Sequence, residues 1–177
     1  MKIGIDISQL AYEKTGVANY LKNLVQEMIK QDSKNEYILF FSSLRGKLPD
    51  LSLAEHSHVT IKKFKLPPTI LDLLWNKMHI APVEWFVGDV DIFISSDWTE
   101  PPAKKAKKAT ILYDLIIFKH PNETAAVIRE VQKRKLSWVK KESDIVFAIS
   151  EATKRDAIET LKIQESKISV IYPGLTI

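Results

Sequence analysis

Apolar residues along the chain alternate between two rhythms, one of period two and one of period 3.6. Lys2 to Ile7 has the first, with Ile3, Ile5 and Ile7 on one side and Gly4 and Asp6 on the other, and predicts a strand. Ser8 to Thr15 reads as a loop. From Val17, the positions Leu21, Leu24, Val25, Met28 and Ile29 recur at helical spacing, so a helix is expected to about Gln31. Tyr37 to Phe41 and Val59 to Phe64 predict two more strands, separated by a polar segment with Gly46 and Pro49. After Pro67 and Pro68, the residues Leu71, Leu74, Trp75 and Met78 fall at i, i+3, i+4 and i+7 of a helix. Pro82 interrupts the pattern before Val83, Trp85, Phe86 and Val87. Asp91 to Ser95 and Thr110 to Tyr113 are strands. A long helix follows over about Thr124 to Glu142, with Val127, Ile128, Val131, Trp138 and Val139 inward and Arg129, Lys133, Arg134, Lys140 and Lys141 outward. Ile145 to Ile149 is an unbroken apolar run that suits a strand covered on both faces. A helix from Ser150 to near Leu161 and a last strand, Ile168 to Ile171, complete the order. Such alternation of strand and helix gives a mostly parallel sheet with helices on its faces.

In parallel sheets ligands gather beyond the carboxyl ends of the strands, so the residues at those ends carry the candidate chemistry. Ser150 is a natural N-cap, and Glu151 follows at the positive end of its helix. The pair either lines a cleft or only caps the helix. Ser96 and Asp97, with Ser95 and Trp98, form a polar cluster at one strand end, and Tyr113 with Asp114 ends another. The basic run AKKAKKA, Ala103 to Ala109, reads as a solvated edge. It has no interleaved aromatics or glycines for base stacking, so no nucleic-acid partner is expected. The stripe through Leu71, Trp75 and Met78 is either core or, with Lys62, Lys63, Lys65 and Lys77 nearby, a surface that meets a lipid or a hydrophobic acceptor.

Composition narrows this picture. A chain of 177 residues, 45% of them hydrophobic, is long enough for one well-buried domain and argues against disorder. It has no cysteine, hence no disulfide and no thiolate site for zinc, and a reducing, cytoplasmic setting is expected. No apolar run reaches the length of a membrane span and Asp6 breaks any signal-like segment, so the expectation is a soluble protein, compatible with peripheral contact at the inner membrane face. A net charge of +4 permits acidic partners without choosing among them. The loop after the first strand lacks G-x-G-x-x-G, which argues against nicotinamide or flavin binding, and neither a cofactor nor a metal is expected.

Three stretches then acquire a joint meaning: IGIDISQL followed by TGVANYLKNLVQEM, TILYDLIIFKHP, and DIVFAISEATKRDAIETLKIQESKISVIYPGL. In this order and spacing they resemble the N-terminal domain of retaining glycosyltransferases of the large GT-B group 1 family, often called family 4. The resemblance implies a three-layer α/β/α Rossmann-like domain, one half of a GT-B fold. Residues 1–177 would be the acceptor-side domain, and a C-terminal domain absent from this chain would hold most of a nucleotide-diphosphate sugar donor. Sugar would pass to a carbohydrate or lipid-linked acceptor, and this chain alone is expected to be inactive. Thr15, Gly16 and Val17 correspond to the family's loop over the donor diphosphate, although Ala18 stands where a second glycine is common. Tyr113 and Asp114 occupy the family's His-Asp position beside the donor sugar, and are the catalytic candidates by that correspondence. A tyrosine there can hydrogen-bond but cannot carry a proton near neutrality. Ser96, Asp97, Ser150 and Glu151 join the loop as expected substrate-binding residues. The alternative is a non-catalytic α/β binding module, in which Tyr113 marks a loss of chemistry.

Overall fold

The computed structural model describes residues 1–53 and 56–174. Leu175 of the exit motif therefore lies outside the described residues. The strands are β1 (Lys2–Asp6), β2 (Glu36–Ser42), β3 (Val59–Phe64), β4 (Ile92–Ser95), β5 (Lys107–Leu112), β6 (Ile145–Ala148) and β7 (Ile168–Val170). Among the described residues they form one seven-stranded sheet in the order β3-β2-β1-β4-β5-β6-β7. Every pairing is parallel, with Ile5 opposite Leu39 and Ile94, and Ser95 opposite Thr110. The chain steps outward from β1 to β3 and then returns to build β4 to β7 on the other side. This reversal between β1 and β4 parts the connecting segments and opens a crevice at the carboxyl edge.

Alternating side chains put two cores on opposite faces of the sheet. On one face α1 (Gly16–Gln31) inserts Leu21, Val25 and Ile29 over Ile3, Ile5, Leu39, Ile94 and Ile111. On the other, α2 (Pro68–Leu71) runs into a π-helical stretch, Asp72–Lys77, and with α3 (Glu84–Val87) encloses Phe40 and Phe93. Trp75 sits at the centre of that cluster, its ring centroid 5.4 Å from that of Phe40 and 5.3 Å from that of Phe86. Gly4 permits the packing, since a Cβ there would lie 2.6 Å from the Phe93 ring. α4 (Ile116–Lys119) leads to α5 (Ala126–Glu142), which covers the same face over β5 and β6. α6 (Glu151–Asp156), continued by a π-helical turn, Ala157–Leu161, lies beside it with Ala157 and Leu161 against Leu136 and Val146. The result is the expected three-layer, Rossmann-like arrangement.

Four expectations change. Met78 does not continue the Leu71–Trp75 stripe, because the Met78 amide bonds the Leu73 carbonyl across a wide π turn; Ile70, Leu73, Met78 and Ile80 are exposed. The run AKKAKKA is not simply a solvated edge, because β5 begins inside it and the period of two turns Lys108 inward. Val127 and Ile128 are exposed, the first at 77%, whereas Lys135, Leu136 and Val139 form the buried face of α5. The cause is that Gln132 already touches Asp97 beyond the end of β4, so the turn before it overhangs the sheet. Finally, β6 is fully covered on one face only: Val146 and Ala148 are buried, while Ile145, Phe147 and Ile149 are partly covered beside α1.

Candidate functional site

Parallel pairing brings the ends of β1, β4, β5 and β6 to one edge, and a chain of contacts joins the residues expected there. Thr15 caps α1, its hydroxyl accepting the Ala18 amide at 3.1 Å. Gly16 is the first helical residue, and a Cβ added to it would meet nothing within 4 Å. One turn on, Tyr20 packs edge-to-face against Tyr113 with ring centroids 5.6 Å apart. The Tyr113 hydroxyl lies 3.1 Å from Ser96 Oγ. The Thr153 hydroxyl donates to the Tyr113 carbonyl at 3.0 Å, and the Thr153 amide is capped by Ser150 Oγ at 3.1 Å. Gly16, Ser96, Tyr113 and Ser150, scattered in sequence, therefore share the carboxyl edge.

Their orientations differ. Tyr113 is buried with its hydroxyl turned onto Ser96, and burial pushes its ionisation well above the ordinary phenol range. Asp114 is exposed and accepts the Ile116 amide at 3.1 Å. Glu151 is exposed in the first turn of α6, so Ser150 is shown as a cap. Asp97 accepts from Gln132 Nε2 at 3.2 Å; burial raises its pKa, and the charge of Lys135 opposes that rise.

Beneath this edge lies a buried charged cluster absent from the expected site. Lys135 is 1% exposed, and its ammonium donates to the carbonyls of Ser96 and Ile111. Burial lowers its pKa, and the charges of Glu100, Asp97 and Asp6 oppose that fall. Asp6, at the end of β1, is raised by burial against the Ser8 hydrogen bonds and the charge of Lys135. Glu100 is fully buried, accepting from the Ser95 hydroxyl on one oxygen and facing Lys108 Nζ at 3.4 Å on the other. Lys108 in turn donates to Glu142 at 2.7 Å. Glu142 receives His79 Nε2 at 3.0 Å, and the His79 ring stacks 3.5 Å from that of Trp138. The one legible sign of Lys135 was its place four residues before Val139 on the buried stripe. Among the described residues no group of three or more histidines or carboxylates is placed to share a metal ion.

The crevice at the β1/β4 reversal is narrow and polar on one side. Asp6, Ser8, Gln9, Ser42, Ser43 and Thr99 supply hydrogen-bonding groups, and Tyr12, Pro68, Leu71 and Trp98 supply apolar ones. Gln9 is 5% exposed, and its Nε2 has no hydrogen-bond partner among the described residues.

A doubly wound parallel sheet with polar strand ends around a switch-point crevice defines the class of α/β domain that binds a ligand at its carboxyl edge. Comparison with known proteins narrows the class: the family model described as Glycosyltransferase Family 4 matches residues 14–177. The chain belongs to that family, and its general function is that of a glycosyltransferase domain. A search of curated proteins finds no match. Among the described residues no helix is long and apolar enough to cross a membrane.

Proposed function

We propose that this chain is the acceptor-side half of a retaining GT-B glycosyltransferase. The carboxyl edge of its sheet would form one wall of a cleft, and a second domain beyond this chain would close the cleft and hold most of a nucleotide-diphosphate sugar. The observation that carries the proposal is the start of α1. The cap takes the Ala18 amide, the amides of Gly16 and Val17 stand at the positive end of a 16-residue helix, and no side chain covers Gly16. That is a receptor for the donor's diphosphate, whose charge increases as the sugar leaves. In this reading Asp114, Asp97 and Glu151 face substrate at the edge, and Ser96 lies buried directly beneath them. Tyr113 acts by locking Ser96 and the β5 exit in place, because its hydroxyl is already engaged there.

Partial cover over Ile145, Phe147 and Ile149 supports a further element packed beside α1 in a longer chain. The acceptor is a carbohydrate or lipid-linked sugar. Exposed Ile70, Leu73, Met78 and Ile80, with Lys77 exposed beside them, support peripheral contact of a lipid-linked acceptor or its membrane. The test is transfer by a chain continued through a second α/β domain, with the anomer of the product read by NMR. Retention of configuration is expected, and Gly16→Trp is expected to abolish transfer; unchanged transfer in that variant would remove α1 from the site. The enclosed Tyr113 hydroxyl favours one other reading, a non-catalytic binding module. Absence of both transfer and donor hydrolysis in the continued chain would establish it.

A further inference from the structure

We propose that His79 and Glu142 form a pH-sensitive latch, which clamps the strap of residues 68–82 to the end of α5 while the ring is protonated and through it fixes the exit of β4. The latch rests on geometry alone; that this exit borders substrate rests on the transferase reading.

The His79 ring carries the argument. Its Nδ1 lies 2.7 Å from the Trp75 carbonyl, and its Nε2 lies 3.0 Å from both oxygens of Glu142. A carbonyl and an ionised carboxylate only accept, so both bonds form only when both ring nitrogens carry hydrogen. Lys108 Nζ donates to the same carboxylate at 2.7 Å, which favours its ionised form. The protonated ring also completes a set of two cations and two anions, because Lys108 stands 3.4 Å from the enclosed Glu100. Loss of the ring proton leaves that set one negative charge in excess and turns a lone pair on Nε2 toward Glu142. Imidazoles exchange this proton between about pH 5 and 8, so the latch opens as pH rises through that interval. The other charged groups around the pair are Lys141, 4.5 Å from the Trp138 ring centroid, and Arg134 and Lys77, which both meet Asp72. The remaining histidines lie elsewhere, His56 and His58 before β3 and His120 after α4.

The strap needs such a clamp. His79 and Ala81 hold left-handed backbone conformations, with φ of 50° and 62°, and residues other than glycine stay there only where their surroundings hold them. The His79 ring stacks 3.5 Å from Trp138, whose Nε1 donates to the Asn76 carbonyl at 2.8 Å. The Asn76 side chain then reaches the exit of β4. Its Nδ2 donates to the Trp98 carbonyl at 2.9 Å, and its Oδ1 accepts the Glu100 amide at 3.0 Å. A ring released from Glu142 and Trp138 therefore loosens the side chain that holds residues 98–100, directly after Asp97.

The test follows the His79 ring nitrogens by NMR and amide hydrogen exchange of the 177-residue chain from pH 5 to 9, with rates corrected for the intrinsic pH dependence of exchange. Two protonated ring nitrogens are expected at pH 5.5. The amides of Met78, Ile80 and Glu100 are expected to lose protection about tenfold or more as the ring loses its proton, while those of β1 do not change. His79→Asn suits the left-handed backbone but cannot bridge to Glu142, and low protection of the three amides at every pH is expected. Glu142→Gln is expected to move the opening to lower pH. The latch is overturned by flat protection in the parent chain, by a step that survives in His79→Asn or is unmoved in Glu142→Gln, or by a ring with one bare nitrogen at pH 5.5. A loss shared by β1 would show general unfolding and would overturn it too. A response at Met78 and Ile80 that leaves Glu100 unmoved would overturn the link to the β4 exit. No substrate enters these measurements, so their failure and that of the transferase reading, tested at Gly16, are distinct.

Discussion

Lys135 is the residue on which the carboxyl edge most depends, because a wholly enclosed ammonium holds two strand-end carbonyls and balances Asp6, Asp97 and Glu100. Lys135→Met would leave those carboxylates without that charge, and a loss of about 3–5 kcal/mol in urea unfolding is expected at neutral pH. The loss has a defined pH dependence. Burial already raises Asp6 and Asp97, and removing Lys135 raises them further. A group with a raised folded pKa contributes stability that is lost as pH rises through that value. The gap between variant and parent should therefore narrow on acidification and widen toward neutrality; a constant gap would contradict the electrostatic account. Gly16 behaves in the opposite way. With open space where its Cβ would be, Gly16→Ala should raise stability by up to about 1 kcal/mol while weakening binding of a nucleoside diphosphate. A destabilised variant would show that the fold itself requires the glycine. The Ser150 cap was legible in the sequence because the hydrogen bond that defines it spans three residues, whereas Thr15 was read as loop and the structure shows it capping α1. Glu100 and Gln9 were not legible, and Lys135 showed only its spacing from Val139, because their burial is decided by elements far apart in the chain.

Among the elements, α5 does most to join the parts of the second face. Its Arg134 reaches Asp72 in the π-helical stretch at 2.8 Å, Trp138 Nε1 donates to the Asn76 carbonyl at 2.8 Å, and Glu142 binds both His79 and Lys108. Burial acts to raise the Glu142 pKa, but the hydrogen bonds from Lys108 and His79 outweigh it and leave the pKa lowered. A carboxylate lowered in the fold stabilises above its unfolded pKa, and that contribution disappears as pH falls through the folded value. Glu142→Gln should cost on the order of 1 kcal/mol at neutral pH and flatten the acid limb of the stability profile. An acid limb identical to the parent's would show that the contact is not used. The length of α5 and the inward place of Val139 were readable from its apolar spacing, but the exposure of Val127 and Ile128 and the burial of Lys135 were not. The overhang of its first turns past the sheet exposes Val127 and Ile128, and only the position of β4 determines where that overhang begins.

For the whole molecule, strand-helix alternation was enough to expect a parallel sheet, since parallel strands need crossovers. The reversal between β1 and β4, which makes the crevice, depends on strand order, and no local pattern encodes that order. A single wall can orient a donor only weakly, because transfer requires donor and acceptor held together in one preorganised site. The central claim, that the start of α1 receives the donor's diphosphate, is tested most directly by titrating a nucleoside diphosphate into the chain and following backbone amides by NMR. The account predicts weak, saturable binding with the largest shifts at Gly16 and Val17, lost in Gly16→Trp. Tight binding to this chain alone, or shifts that leave Gly16 and Val17 unmoved, would contradict it.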